Sequence, residues 1–257
     1  MGAAGQPAVG REVSALLLDP QVVPSLLAAD FADIGGNVRA VMDAGARLLQ
    51  VDVMDGHFVP EITMGPLLVR ALRDLVHERG GLLDCHLMVE RPERHIKSFA
   101  EAGADVITVH AEATPHIHYA LAQIRKVGCA AGLAVNPGTG PEVVEPVADM
   151  LDLCLCMTVD PGWGGQAYIH SSGKKIRRLR KLLPPGVALQ VDGGISAGTI
   201  GGAARAGANL HVAGSSVFGS PDPGSAYRAL SAALSDAWRG RSREEDRIVG
   251  RHEARAD

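Results

Sequence analysis

Eight times along the chain, a short aliphatic run gives way to a loop bearing glycine, proline or aspartate and then to an amphipathic helical segment. The strand-like runs are Gln21–Leu26, Leu48–Met54, Leu82–Met88, Val106–His110, Ala130–Val135, Leu151–Val159, Val187–Asp192 and Leu210–Ala213. Helical patterns lie between them, near 31–44, 66–79, 92–102, 115–127, 141–148, 173–183, 196–206 and 222–238. Strands that alternate with helices predict βαβ units and a parallel sheet. Eight such units predict a closed (β/α)8 TIM barrel, an α/β fold. An open doubly wound sheet is the alternative, but the count of eight opposes it and no G-x-G-x-x-G follows the first strand. Three helix ends repeat one junction: Ala44-Gly45-Ala46, Ala102-Gly103-Ala104 and Ala206-Gly207-Ala208. Glycine there supplies the left-handed conformation that stops a helix, so these positions read as structural.

A length of 257 residues admits one barrel. Hydrophobic residues make up 46% and aromatics only 4%, with 31 glycines, so the core is built from small side chains that let helices approach strands closely. The net charge of −4 offers no basic footprint, which argues against a nucleic-acid partner. Cys85, Cys129, Cys154 and Cys156 lack zinc-type spacing and read as buried small hydrophobes in a reducing compartment. Residues 1–19 read as an N-terminal extension. Its apolar run, Ala15–Leu18, is too short for a signal peptide, and Gln6 stands where a myristoylation signal needs Ser or Thr. No apolar stretch approaches the roughly 20 residues that span a bilayer. The expectation is a cytoplasmic protein without a membrane partner, its barrel over 20–238, followed by a charged, disordered tail over 239–257. A homo-oligomer stays open.

Barrel active sites lie at the C-terminal ends of the strands. Side chains alternate along a strand, so Gln50, Asp52 and Met54 point into the barrel if Leu49, Val51 and Val53 face the helices. The same alternation turns Asp84, His86 and Met88 inward on the third strand, and Gln190 and Asp192 on the seventh. Singly, an inward Asp can be a cap or an ion-pair partner, and an inward His a hydrogen-bonded core residue. Two carboxylates and an imidazole converging on one mouth point to a site.

Glycine-rich loops close the sixth, seventh and eighth strands: Asp160-Pro161-Gly162-Trp163-Gly164-Gly165-Gln166, Asp192-Gly193-Gly194-Ile195-Ser196 and Ala213-Gly214-Ser215-Ser216. One such loop can be a plain turn. Three in succession at one mouth predict an anion cradle, because glycine lets backbone N–H groups approach a phosphate. Met54, Met88 and Met157 fall at inward strand ends, either as core filler or as an apolar wall over a substrate.

These segments resemble the ribulose-phosphate 3-epimerases. The matching stretches are Pro24–Phe31, Val51–Pro60, Asp84–Val89, Asn136–Thr139, Met157–Gln166 and Val191–Gly194, in order and with matching spacing from about Pro20 to Leu234. The resemblance implies a barrel of the ribulose-phosphate-binding type and exchange of D-ribulose 5-phosphate with D-xylulose 5-phosphate. Relatives acting on longer ketose phosphates, such as allulose 6-phosphate, keep the sugar open. It implies one divalent metal ion (Zn, Mn or Fe), Asp52 and Asp192 as acid/base pair, and His86 as a ligand beside both. It implies substrate contacts from Ser25, His86, Met54, Met88 and Met157. It implies phosphate contacts from Gly162, Gly164, Gly165, Gly193, Gly194, Gly214 and Ser215.

The chain departs from the family at position 50, where Gln50 replaces a histidine that would be the fourth metal ligand. An amide oxygen is a weaker ligand than imidazole and favours Mn²⁺ or Fe²⁺ over Zn²⁺. Glu61 replaces the usual Asn, and Ser171-Ser172-Gly173 is more polar than the family pattern. A non-catalytic phosphosugar-binding homologue is the competing reading, with Gln50 its only support. A decarboxylase of the same superfamily would place Lys on the second and third strands, which carry none.

Overall fold

The computed structural model describes residues 10–253. Gln6 and the ends of the extension and tail, 1–9 and 254–257, lie outside the described residues. Eight parallel strands form one sheet: β1 (Gln21–Pro24), β2 (Leu48–Met54), β3 (Leu82–Met88), β4 (Val106–His110), β5 (Ala130–Val135), β6 (Leu153–Met157), β7 (Ala188–Asp192) and β8 (Leu210–Ala213). From β2 to β8 each strand pairs with its sequence neighbour, β8 pairs back onto β1, and an isolated bridge from Ser25, just past β1, to Gln50 of β2 spans the remaining seam. The chain is a (β/α)8 barrel.

The helices are α1 (Arg11–Leu18), α2 (Ile34–Asp43), α3 (Pro66–His77), α4 (Ile96–Ala102), α5 (Ile117–Lys126), α6 (Ser172–Leu182), α7 (Ile200–Ala206), α8 (Ser215–Phe218) and α9 (Pro223–Glu253). Where a helix is expected near 141–148, a 3-10 helix spans Pro141–Met150 instead. Pro146 inside it has no N–H to give and blocks regular α-helical bonding. The last helix continues to Glu253, past the Arg239 boundary where composition predicts disorder. Arg and Glu dominate that stretch and are good helix formers. The repeated junctions behave as expected: Gly45, Gly103 and Gly207 have φ of 113°, 113° and 117°.

Alternation along the strands divides the core in two. Leu49, Val51 and Val53, like Leu189 and Val191, join the outer layer between strands and helices. Val23, Leu48, Val106, Leu153, Leu155 and Leu210 fill the barrel, and Leu17 of α1 joins them from the N-terminal end. The helix α1 is tied down from the barrel, since Asn209 Nδ2 donates to Leu17 O at 2.7 Å and Gln21 Nε2 to Leu16 O at 2.6 Å. Gly132 leaves the room that Thr108 occupies inside. A Cβ at Gly132 would lie 2.2 Å from Thr108 Oγ1 and 3.0 Å from its Cα. Gly132→Ala should therefore destabilise the barrel by about 1–3 kcal/mol, the usual cost of overpacking a core. Reversible denaturant unfolding measures it, and an unchanged midpoint would contradict this packing.

Candidate active site

Strand register builds the site from β2 and β3. Asp52 lies beside His86, Met54 beside Met88 and Gln50 beside Asp84. Asp192 arrives from the end of β7, opposite Met157 of β6. Thr158 secures that end, its hydroxyl donating to Asp192 O at 2.9 Å and Gly193 O at 2.6 Å. Thr63 does the same for β2, donating to Asp52 O at 2.7 Å and accepting from Met54 N at 3.0 Å.

The carboxylates of Asp52 and Asp192 come together at the strand ends. They converge on one amide: Gln50 Nε2 donates to Asp52 Oδ1 at 2.7 Å and to Asp192 Oδ2 at 2.8 Å. His86 Nδ1 lies 2.9 Å from Asp52 Oδ1 and 3.5 Å from Asp192 Oδ2. Ser25 Oγ donates to Asp52 Oδ2. Burial, and then the negative charge of Asp52, raise the Asp192 carboxyl above the ordinary aspartate value, against hydrogen bonds from His86 and Gln50. Burial pulls His86 down, but bonds and charges from Asp192 and Asp52 outweigh it and hold the imidazole at about 9. Below them, Asp84 is pushed up to about 7 by burial, in spite of a 2.9 Å bond from Gln190 Nε2.

One ligand atom from each of Asp52, His86 and Asp192 lies within 4.8 Å of the others. Gln50 is fully buried, and its Oε1 has no hydrogen-bond partner. Turning the amide by 180° would aim Oε1 at the two carboxylates, where only a cation would welcome three oxygens and a ring nitrogen. The donor set fits a divalent metal.

Above this floor opens a cavity of about 530 Å³. Ser25, Asp52, Asp192 and the three methionines line it, as do Gly162, Gly164, Gly165, Gly193, Gly194, Gly214 and Ser215. Of the residues given a catalytic, metal, substrate or phosphate role from sequence, Gln50 and His86 alone do not line it, both being fully buried. Met54 and Met88 pack with Val59, Phe58 and Leu27 into an apolar cluster, while Met157 belongs to the barrel interior. Glu61 reaches the rim, whereas His57 serves its loop, its backbone N–H donating to Asp55 Oδ1 at 2.8 Å. Gly194, at φ 65°, leaves room for a neighbour: a Cβ there would stand 2.5 Å from Tyr168 N in the loop after β6.

Sequence reasoning missed two groups, the buried His110 and the exposed Glu112 beside it. His110 Nε2 meets His86 Nε2 at 2.8 Å, and His110 Nδ1 lies 3.3 Å from Glu112 Oε2. Burial holds His110 down to about 4, against the pull of Glu112. Burial would raise Glu112, yet bonds from His110, Thr139 and the Asn136 backbone lower it to about 2. The inward register of β4, Val106-Thr108-His110, was the signal that could have found the histidine.

The fold and this floor define a (β/α)8-barrel enzyme with a carboxylate–imidazole centre at the C-terminal ends of its strands. Its solved structural neighbours include 3-hexulose-6-phosphate synthase from Salmonella typhimurium (TM-score 0.65, 16% identity, 84% of this chain and 99% of that one). Orotidine 5'-phosphate decarboxylase from Pyrococcus horikoshii OT3 is another (TM-score 0.63, 16% identity, 84% and 99%). At such identities the likeness shows the fold alone. The ribulose-phosphate 3 epimerase family profile matches residues 21–218. Ribulose-phosphate 3-epimerase of Bacillus subtilis is 47% identical over 206 residues, 79% of this chain and 94% of the relative. The chloroplastic ribulose-5-phosphate-3-epimerase of Arabidopsis thaliana is 46% identical over 217 residues, 82% and 76%. The chain belongs to the ribulose-phosphate 3-epimerase family.

Proposed function

We propose that this protein inverts C3 of a phosphorylated ketose, interconverting D-ribulose 5-phosphate and D-xylulose 5-phosphate, with one divalent cation held at the cavity floor. The observation that carries the reading is the Asp52–His86–Asp192 cluster beneath a cavity edged by three glycine loops. Inverting a carbon by proton transfer needs a base on one of its faces and an acid on the other. Asp52 and Asp192 take these roles. Asp52 has both oxygens engaged, by Ser25 on one side and by Gln50 and His86 on the other. Among the described residues none donates to Asp192 Oδ1, which leaves that oxygen for substrate.

Removing a proton beside a ketone produces an enediolate, so negative charge has to be met where it develops. Asp52, His86 and Asp192 would hold the cation, with Gln50 Oε1 as the fourth donor, and such an ion supplies Lewis-acid stabilisation. Three oxygens and one nitrogen suit Mn²⁺ or Fe²⁺ better than Zn²⁺. The methionine wall of Met54 and Met88 keeps water off the reacting carbons. The loops at Gly162–Gly165, Gly193–Gly194 and Gly214–Ser215 hold the phosphate through backbone N–H groups. No helix among the described residues is long and apolar enough to cross a membrane.

The test is incubation with D-ribulose 5-phosphate in deuterated water plus Mn²⁺, Fe²⁺ or Zn²⁺. D-Xylulose 5-phosphate carrying deuterium at C3 is expected. Absence of both exchange and product with every metal overturns the reading.

Gly194 gives a second check. Its replacement by Ala forces a Cβ onto the Tyr168 backbone and so displaces the loop bearing Gly162–Gly165. KM should rise about tenfold, equal to ~1.4 kcal/mol of lost binding, with kcat nearly kept. A kcat loss at constant KM would detach these loops from phosphate binding.

A further inference from the structure

We propose that His110 and Glu112 are positioning residues that fix which nitrogen of His86 faces the cation. The inference rests on the reading of Asp52, His86 and Asp192 as metal ligands. It follows from counting hydrogens along one chain of contacts that runs from buried His86 and His110 out to exposed Glu112.

The 2.8 Å contact between His86 Nε2 and His110 Nε2 needs one hydrogen between two nitrogens. The far nitrogen of His110, Nδ1, faces Glu112 Oε2 at 3.3 Å. The other oxygen, Glu112 Oε1, already accepts from Asn136 N at 2.8 Å. A carboxylate only accepts, so His110 Nδ1 must carry the hydrogen. Full burial disfavours the charged imidazole, so His110 is neutral with a bare Nε2, and the shared hydrogen belongs to His86 Nε2. That leaves His86 Nδ1 turned toward Asp52 Oδ1 and Asp192 Oδ2. Whatever fills the space between them, a proton or a cation, the Nε2–H is unchanged.

The direction of the chain is thus set from Glu112 inward. Its outer end is anchored by α6, where Lys175 Nζ donates to Asn136 O and Pro137 O, each at 2.6 Å. Phe58 packs against the His110 ring, with centroids 4.9 Å apart, and His110 is fully buried. A histidine ligand whose outer N–H is held in this way keeps one tautomer and one ring orientation, and it is a stronger donor for that.

The decisive measurement is ring-nitrogen NMR of the ¹⁵N-histidine-labelled parent protein, with and without zinc. His110 should be protonated at Nδ1 and bare at Nε2 in both states, and His86 should keep Nε2–H in both. A hydrogen on His110 Nε2, or zinc on His86 Nε2, overturns the proposal. Zinc affinity by competition with a chromophoric chelator gives a second readout. Glu112→Gln and His110→Phe should each weaken zinc by about tenfold, at the low end of the range for partners of metal-bound histidines. His110→Gln, whose amide oxygen can accept from His86 Nε2–H, should recover most of that loss. A folded His110→Phe with parental affinity overturns the proposal, as does a parent that binds no divalent metal. Neither measurement uses substrate. A parent with the expected protonation pattern and bound zinc but no turnover sinks the epimerase reading alone. A parent that turns over with His110 protonated at Nε2 sinks this wiring alone.

Discussion

Asp192→Asn is expected to lower turnover by about 10²–10⁴-fold, the range that a positioned acid or base supplies. The same holds for Asp52→Asn. In the proposed mechanism the amide cannot accept a proton from C3 or return one, so each substitution would remove one half of the inversion. The fold should survive. Asp192 is held by its backbone, through Thr158, and its side chain ends in the cavity. The two variants should nevertheless differ. At position 192 the burial and the neighbouring charge that raise the carboxyl vanish with it, and Asp52 loses its repulsive partner. At position 52 the amide must satisfy Ser25, Gln50 and His86 together, all of which donate to the parent carboxylate. With one oxygen in place of two, the amide cannot keep all three, and either the Ser25 contact reverses, its hydroxyl losing its acceptor, or the Gln50 and His86 contacts are lost. A buried unsatisfied donor costs about 1–3 kcal/mol, so Asp52→Asn should also lower stability measurably while Asp192→Asn should not. Circular dichroism, thermal melting and the exchange assay separate these effects. Full activity in either folded variant would remove that carboxylate from the mechanism.

The barrel was legible because two periods alternate in the sequence. Period two over Leu48–Met54 placed Gln50, Asp52 and Met54 inward, and these are the side chains that meet His86, Asp192 and the methionine cluster. The helix α1 was not legible. Leu17 is buried by plugging the barrel floor, a contact with residues far along the chain that no local pattern announces. The segment at 141–150 has helical hydrophobicity, and only Pro146 distinguishes its backbone from α. At the site, residue identity located Asp52, His86 and Asp192, but not how closely they sit. Both carboxylates reach the same amide, a closeness that strand register alone does not reveal. Gly194 showed the same limit. Its sequence context suggested an anion, whereas its lack of a Cβ first of all admits Tyr168.

Gln50→His should raise Zn²⁺ affinity by about 10–100-fold, and Mn²⁺ affinity by much less. The expectation rests on where Gln50 already is. Its side chain is fully buried at the seam between β1 and β2, with its amide within 2.8 Å of both carboxylates. It cannot leave the site without breaking both contacts. One end of that amide, Oε1, has no partner, and an orphaned buried acceptor costs about 1–3 kcal/mol. A bound cation would relieve that cost by drawing Oε1 toward the carboxylates, so Gln50 should favour metal binding, through a neutral oxygen. Zinc gains most when imidazole replaces that oxygen, since nitrogen donors suit it better than an amide does. Manganese, content with oxygen, gains little. The ratio of the two affinities is therefore the informative quantity, because a change in packing alone would move both metals together. Calorimetric titration of parent and variant with each metal measures it. A parent that keeps stoichiometric zinc through dialysis against chelator, with no change in Gln50→His, would mean that position 50 only braces the carboxylates and donates through Nε2 in the metal-loaded protein as well.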